Sequence, residues 1–85
     1  MRYFMSRDNK TKLYNFTVIF EREDDGGYHV FCPILKGCHA QGETYDEALT
    51  NIKDAMELYL ESLKIHKEPI PLEDVLIKPL QVAVG

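Results

Sequence analysis

Eighty-five residues make a single domain, because a second core would need roughly another 50 residues or more. With 45% hydrophobic and 28% charged residues the chain has enough apolar matter to fold, and its net charge of −4 repels phosphate backbones, so direct nucleic-acid binding is not expected. No apolar h-region follows Met1 and no run of about 18 apolar residues occurs anywhere, so neither secretion nor membrane spanning is expected, and the protein is read as cytoplasmic.

Residues 1–11 are polar and aperiodic and are expected to form a flexible arm, leaving 12–85 as the domain. From Leu13 to Glu21 the pattern alternates: Tyr14, Phe16, Val18 and Phe20 on one side, Asn15, Thr17 and Glu21 on the other. That is the period of a strand. Glu23-Asp24-Asp25-Gly26-Gly27 supplies turn residues, and Gly27 to Pro33 reads as a second strand. A two-residue loop would set the apolar side of one strand against the mixed side of the other. A three-residue loop, Asp24-Asp25-Gly26 with Gly26 left-handed, instead pairs Phe20 with Val30 and Val18 with Cys32.

A turn centred on Leu35 then brings Cys38 to Gly42 back as a third strand, with Cys32 facing Cys38, Val30 facing Ala40 and Tyr28 facing Gly42. Ala40 and Gly42 form a shallow strip that a helix backbone can approach. Thr44-Tyr45-Asp46-Glu47 is a capping box, with Thr44 as N-cap and the Glu47 carboxylate returning to the Thr44 amide. Tyr45, Ala48, Leu49, Ile52, Ala55, Met56, Tyr59, Leu60 and Leu63 recur at spacings of three and four, the stripe of an amphipathic helix of about 20 residues. Pro69 and Pro71 stop it, and Val75 to Val84 reads as a last strand that Pro79 confines to an edge.

The expected architecture is a two-layer α+β domain: a three-stranded antiparallel meander, one amphipathic helix, then a further strand (β-β-β-α-β). One helix covers one side of the sheet. The opposite side carries Asn15, Thr17, Ile19, Glu21, His29, Phe31, His39 and Gln41, too mixed for a core and, at Ile19 and Phe31, too apolar for ordinary surface. Ile19, Glu21, His29, Phe31, His39 and Gln41 are therefore the candidate partner-interface residues, with Phe31 as anchor and the histidines as polar rim.

No catalytic, cofactor or metal site is expected. Asp24 and Asp25 belong to a turn, and Asp46 and Glu47 to a helix N-terminus, where carboxylates serve the cap and the dipole. His29, Cys32, Cys38 and His39 have the composition of a zinc site, but alternation sends both cysteines under the helix and both histidines away from it. The cysteines face each other across two strands, within reach of oxidation in vitro. The acidic cluster Glu21, Glu23, Asp24 and Asp25 would speed encounter with a basic partner.

The segments Gly27-Tyr28, Pro33-Ile34-Leu35-Lys36-Gly37-Cys38, Gly42-Glu43-Thr44, Glu47-Ala48 through Asn51, and Glu68-Pro69-Ile70-Pro71 together resemble the HicB family of type II antitoxins. Here Ile34 and Lys36 replace the Asp and the second Pro of that family's usual Pro-Asp-Leu-Pro-Gly-Cys loop. The resemblance implies a partial RNase H-like fold that binds and masks a HicA-type toxin, a small basic RNA-cleaving protein, without itself being an enzyme. An antitoxin-like module lacking a DNA-binding extension is the leading expectation. The alternative is a stand-alone small-ligand-binding or regulatory oligomer of the same fold. A residual nuclease ranks last, because the carboxylates do not converge. A core this small gains from self-association, so a homo-oligomer, dimer or tetramer, is expected.

Overall fold

The computed structural model describes residues 12–85; the flexible arm expected over residues 1–11 lies outside the described residues. Three strands, β1 (Ile19–Arg22), β2 (Tyr28–Phe31) and β3 (His39–Gly42), form an antiparallel sheet in the order β1-β2-β3, and one helix, α1 (Tyr45–Ile65), follows. This is an α+β arrangement.

The first hairpin takes its register from its loop. Gly26 has φ +95°, a conformation that costs a residue with a Cβ and that glycine adopts freely. Its N–H donates to the Glu23 carbonyl at 2.9 Å, and the Glu23 N–H donates to the Gly27 carbonyl at 2.8 Å, closing a loop of Asp24, Asp25 and Gly26. Phe20 therefore pairs with Val30, and the apolar sides of β1 and β2 coincide. In the second hairpin the Cys32 N–H donates to the Cys38 carbonyl at 3.1 Å, which sets Val30 against Ala40 and Tyr28 against Gly42.

The tip of that second turn is folded into the core. Leu35 is fully buried and joins Val30, Cys32, Cys38, Ala48 and Ile52 in the core. Gly37, at φ +80°, lets the chain fold back so that the Cys38 N–H donates to the Leu35 carbonyl at 2.9 Å. An aliphatic turn residue here plugs the end of a layer whose strands are only four residues long. Burying a side chain of this size contributes about 1.5–3 kcal/mol.

The helix starts at the Thr44 cap, whose hydroxyl accepts from the Glu47 N–H at 3.1 Å. The Glu47 carboxylate, however, accepts from the Glu43 N–H at 2.6 Å rather than from Thr44, so the reciprocal half of the cap sits one residue earlier than expected. At the other end, Lys67 takes φ +56°, and the N–H groups of Lys67 and Glu68 donate to the carbonyls of Lys64 and Leu63. This is the Schellman closure, and Pro69 follows it.

The α1 backbone lies over β3 and β2. A Cβ on Gly42 would sit 2.3 Å from the Ala48 amide nitrogen, so only glycine lets the helix come this close. Toward β1 the helix reaches out with side chains alone, Tyr45 meeting the Phe20 ring at 4.7 Å between centroids. Of the apolar stripe, Ala48 and Ile52 are fully buried, whereas Tyr45 and Leu49 remain 49% and 40% exposed. The reason is placement: both lie on the flank of α1 turned toward β1, where the helix backbone does not reach the sheet and Leu49 borders an open groove.

After the helix, residues 68–85 form neither helix nor strand. The last strand expected over Val75–Val84 is not formed in the single chain, because a strand exists only by pairing with an edge and this segment pairs with none among the described residues. Its root is held: Glu73 accepts from the Thr17 N–H at 2.6 Å and from the Thr17 hydroxyl. No helix among the described residues is long and apolar enough to cross a membrane.

Candidate functional site

The side of the sheet turned away from α1 is built by the pairing itself. Register sets Ile19, Phe31 and His39 in one cross-strand row and Glu21, His29 and Gln41 in the next. Side chains two apart on a strand share a face, so the six residues form a grid of two rows on three strands. Ile19 is 37% exposed, Phe31 and His29 are half-buried, and Glu21, His39 and Gln41 are exposed.

At the centre of the grid the rings touch one another. His29 stacks on Phe31 at 5.8 Å between centroids, 23° from parallel, and tilts against His39 at 5.4 Å. The His29 Nδ1 lies 3.4 Å from a Glu21 carboxylate oxygen, so a protonated His29 would pair with that carboxylate. Beside the rings, Pro33, Lys36 and Gly37 border a shallow, open depression. Small-molecule sites instead enclose most of a ligand's surface. A ring stack of this kind, flanked by a carboxylate and an amide, has the make-up of a protein-contact patch with an aromatic centre and a polar rim.

The other chemistry-bearing residues are placed elsewhere. Cys32 and Cys38 are buried on the helix side, and burial, followed by the neighbouring Cys32 sulfur, pushes the Cys38 thiol up from its ordinary range. A thiol so held is a poor nucleophile. The two histidines and two cysteines therefore lie on opposite faces. Asp25 accepts from the Gly27 N–H at 3.0 Å within the first hairpin loop, and Glu47 serves the helix start. Among the described residues no group of three or more His, Cys, Asp or Glu side chains could hold a metal ion.

Sequence alternation names all six residues of the grid, but not that His29, Phe31 and His39 stack, which depends on both hairpin registers. It also misses Asn51 on the covered side, whose side-chain amide donates to the Gln41 carbonyl at 2.7 Å and ties α1 to β3. An amide on the helix flank opposite a strand carbonyl was its only signal.

Comparison with known proteins gives one consistent answer. Residues 16–81 match the family described as the HicB-like antitoxin of bacterial toxin-antitoxin system. The chain is 56% identical over 73 residues to a UPF0150 protein of Synechocystis sp., covering 86% of this chain and 92% of that one. It is 51% identical over 59 residues to a UPF0150 protein of Thermoplasma acidophilum, covering 69% and 86%. Among solved structures it is similar to the N-terminal domain of the Burkholderia pseudomallei antitoxin HicB, with a TM-score of 0.65, 28% identity and 72% of each chain covered. That domain carries the same meander-and-helix arrangement, and family and fold together point to a non-enzymatic regulatory module with a toxin as partner. The chain belongs to the HicB-like antitoxin family of bacterial toxin-antitoxin systems.

Proposed function

We propose that this domain neutralises a small basic RNA-cleaving toxin of the HicA type by laying the grid of Ile19, Glu21, His29, Phe31, His39 and Gln41 over the toxin's active surface. The observation that carries this reading is the ring stack of His29, Phe31 and His39 on a sheet face that the single helix leaves open. Masking requires no chemistry from the antitoxin, only area and complementarity. The net charge of −4 and the exposed carboxylates of Glu21, Glu23, Asp24 and Asp25 suit a partner that must itself be basic to hold RNA, and they would quicken encounter.

On this reading the fold is a reduced RNase H-like layer, acting in the cytoplasm, that retains a recognition surface without an acidic metal centre. The test uses a purified small basic RNA-cleaving toxin of the HicA type. Mixed in equal amounts with it, the domain should abolish RNA cleavage at one-to-one stoichiometry, with a faster association rate at low salt. Undiminished cleavage at a tenfold excess of the domain would refute the proposal.

A further inference from the structure

Residues 74–84 are the least accounted-for part of the chain. Val75, Leu76, Ile77, Leu80, Val82 and Val84 are between 61% and 93% exposed, and the molecule measures 68 × 28 × 23 Å. The radius of gyration is 17.3 Å, whereas a compact domain of this length has about 12 Å. Leu80, Val82 and Val84 alternate with Gln81 and Ala83, which is the pattern of a strand with one apolar side. Pro79 separates this run from Val75-Leu76-Ile77, and the Lys78 and Pro79 pair leaves each run free to pair on its own.

The body of the domain carries an unfilled counterpart. Because the α1 backbone covers β3 and β2, a groove of 420 Å³ remains toward β1, lined chiefly by Tyr14, Phe16, Val18, Leu49, Met56 and Leu60. Beside it, residues 12–18 run up to β1 without belonging to any ladder. An apolar segment with the alternation of a strand, and an apolar groove beside an edge that is unpaired among the described residues, thus occur in one chain.

The chain's own geometry keeps them apart. Glu73 anchors the root of the segment on Thr17, and Val75 and Ile77 continue along Thr17, Pro33 and Ile34. Thr17 alternates to the side opposite Phe16 and Val18, so the segment sets out from the face that the groove does not open on. A second copy faces no such obstacle.

We infer that residues 74–84 are an exchange arm that seats in the Phe16, Val18 and Met56 groove of a second copy, with Leu80, Val82 and Val84 pointing inward, and that the second copy returns its own arm. Such an exchange has two-fold symmetry and closes on itself. Three inward aliphatic side chains per arm, at roughly 100 Å² each, bury about 600 Å² from two arms, and the groove walls they cover add about as much again, a total of about 1,200 Å² that reaches the range of stable interfaces. This inference is independent of the toxin reading, since it uses the helix side of β1 and leaves the ring stack free.

The experiment is sedimentation velocity on the whole chain and on the Leu80→Asp, Val82→Asp double variant, with far-UV circular dichroism to verify that α1 persists. The wild-type chain should sediment as a pair, or as an even multiple of it. The double variant should self-associate at least tenfold more weakly and run as a single chain. A wild-type monomer, or a variant that keeps the wild-type assembly, would overturn the inference. The seat is tested by mixing copies bearing only Leu13→Cys with copies bearing only Val82→Cys under mild oxidation. Covalent pairs of unlike copies should dominate, whereas like pairs only, or no cross-link, would place the arm elsewhere.

Discussion

The two faces of this sheet are made from alternate residues of the same three short strands, yet they differ in almost every physical respect. On the covered face, Val30 is fully buried, Cys32 and Cys38 pair beneath the helix, and Gly42 admits the helix backbone. On the open face, one residue away along the same strands, His29, Phe31 and His39 stack in partial contact with solvent beside Glu21 and Gln41. Stability belongs to the first set. Recognition is proposed for the second, so substitutions on the two faces should separate folding from binding.

The largest effect is expected at the turn that closes the covered face. Leu35→Ala should lower stability by about 2–5 kcal/mol, read as a fall in urea midpoint, because a fully buried side chain leaves a cavity behind. Binding would be lost with the fold, and a shift below 1 kcal/mol would show that the loop end is not part of the core. Next is Gly42→Ala, for which the added Cβ must displace the start of α1 from β3. An overpacking cost of about 1–3 kcal/mol is predicted, and an unchanged midpoint would mean that the helix stands off further than described.

A smaller effect sharpens the contrast at the edge of the open face, where Glu73 caps Thr17. The hydrogen bonds from the Thr17 hydroxyl and then the Thr17 N–H hold the Glu73 carboxyl below the usual carboxylate range, against a lesser upward push from burial. A depressed folded-state pKa gives stabilisation that is complete above the unfolded value and lost as pH falls through the folded one. The Thr17 amide resonance should therefore titrate with a midpoint below the ordinary glutamate value, and Glu73→Gln should remove that titration. A midpoint at the ordinary value would detach the arm's root from Thr17.

Much of this molecule is written locally. The Asp24-Asp25-Gly26 loop, the alternation from Tyr14 to Phe20 and the small residues Ala40 and Gly42 each lead to the observed registers, because turn chemistry and strand period act over a few residues. Leu35 was not legible as core: nothing local distinguishes a turn residue that faces solvent from one that plugs a layer end. The exposure of Tyr45 and Leu49 was hidden for a related reason, since helical periodicity marks the apolar side but not which strands the helix lies across. Val75–Val84 has the composition of a strand, but no sequence pattern states which edge completes it, and the single chain provides none. Alternation alone identifies the six open-face residues, whereas their stacking required both hairpins in register.

The central claim is that the open face binds while the covered face folds, and the most direct measurement is the affinity of Phe31→Ala for a HicA-type toxin by calorimetric titration. The account predicts binding weakened at least tenfold, about 1.4 kcal/mol, in a protein whose urea midpoint stays close to that of the wild type. Wild-type affinity in the Phe31→Ala protein would contradict it.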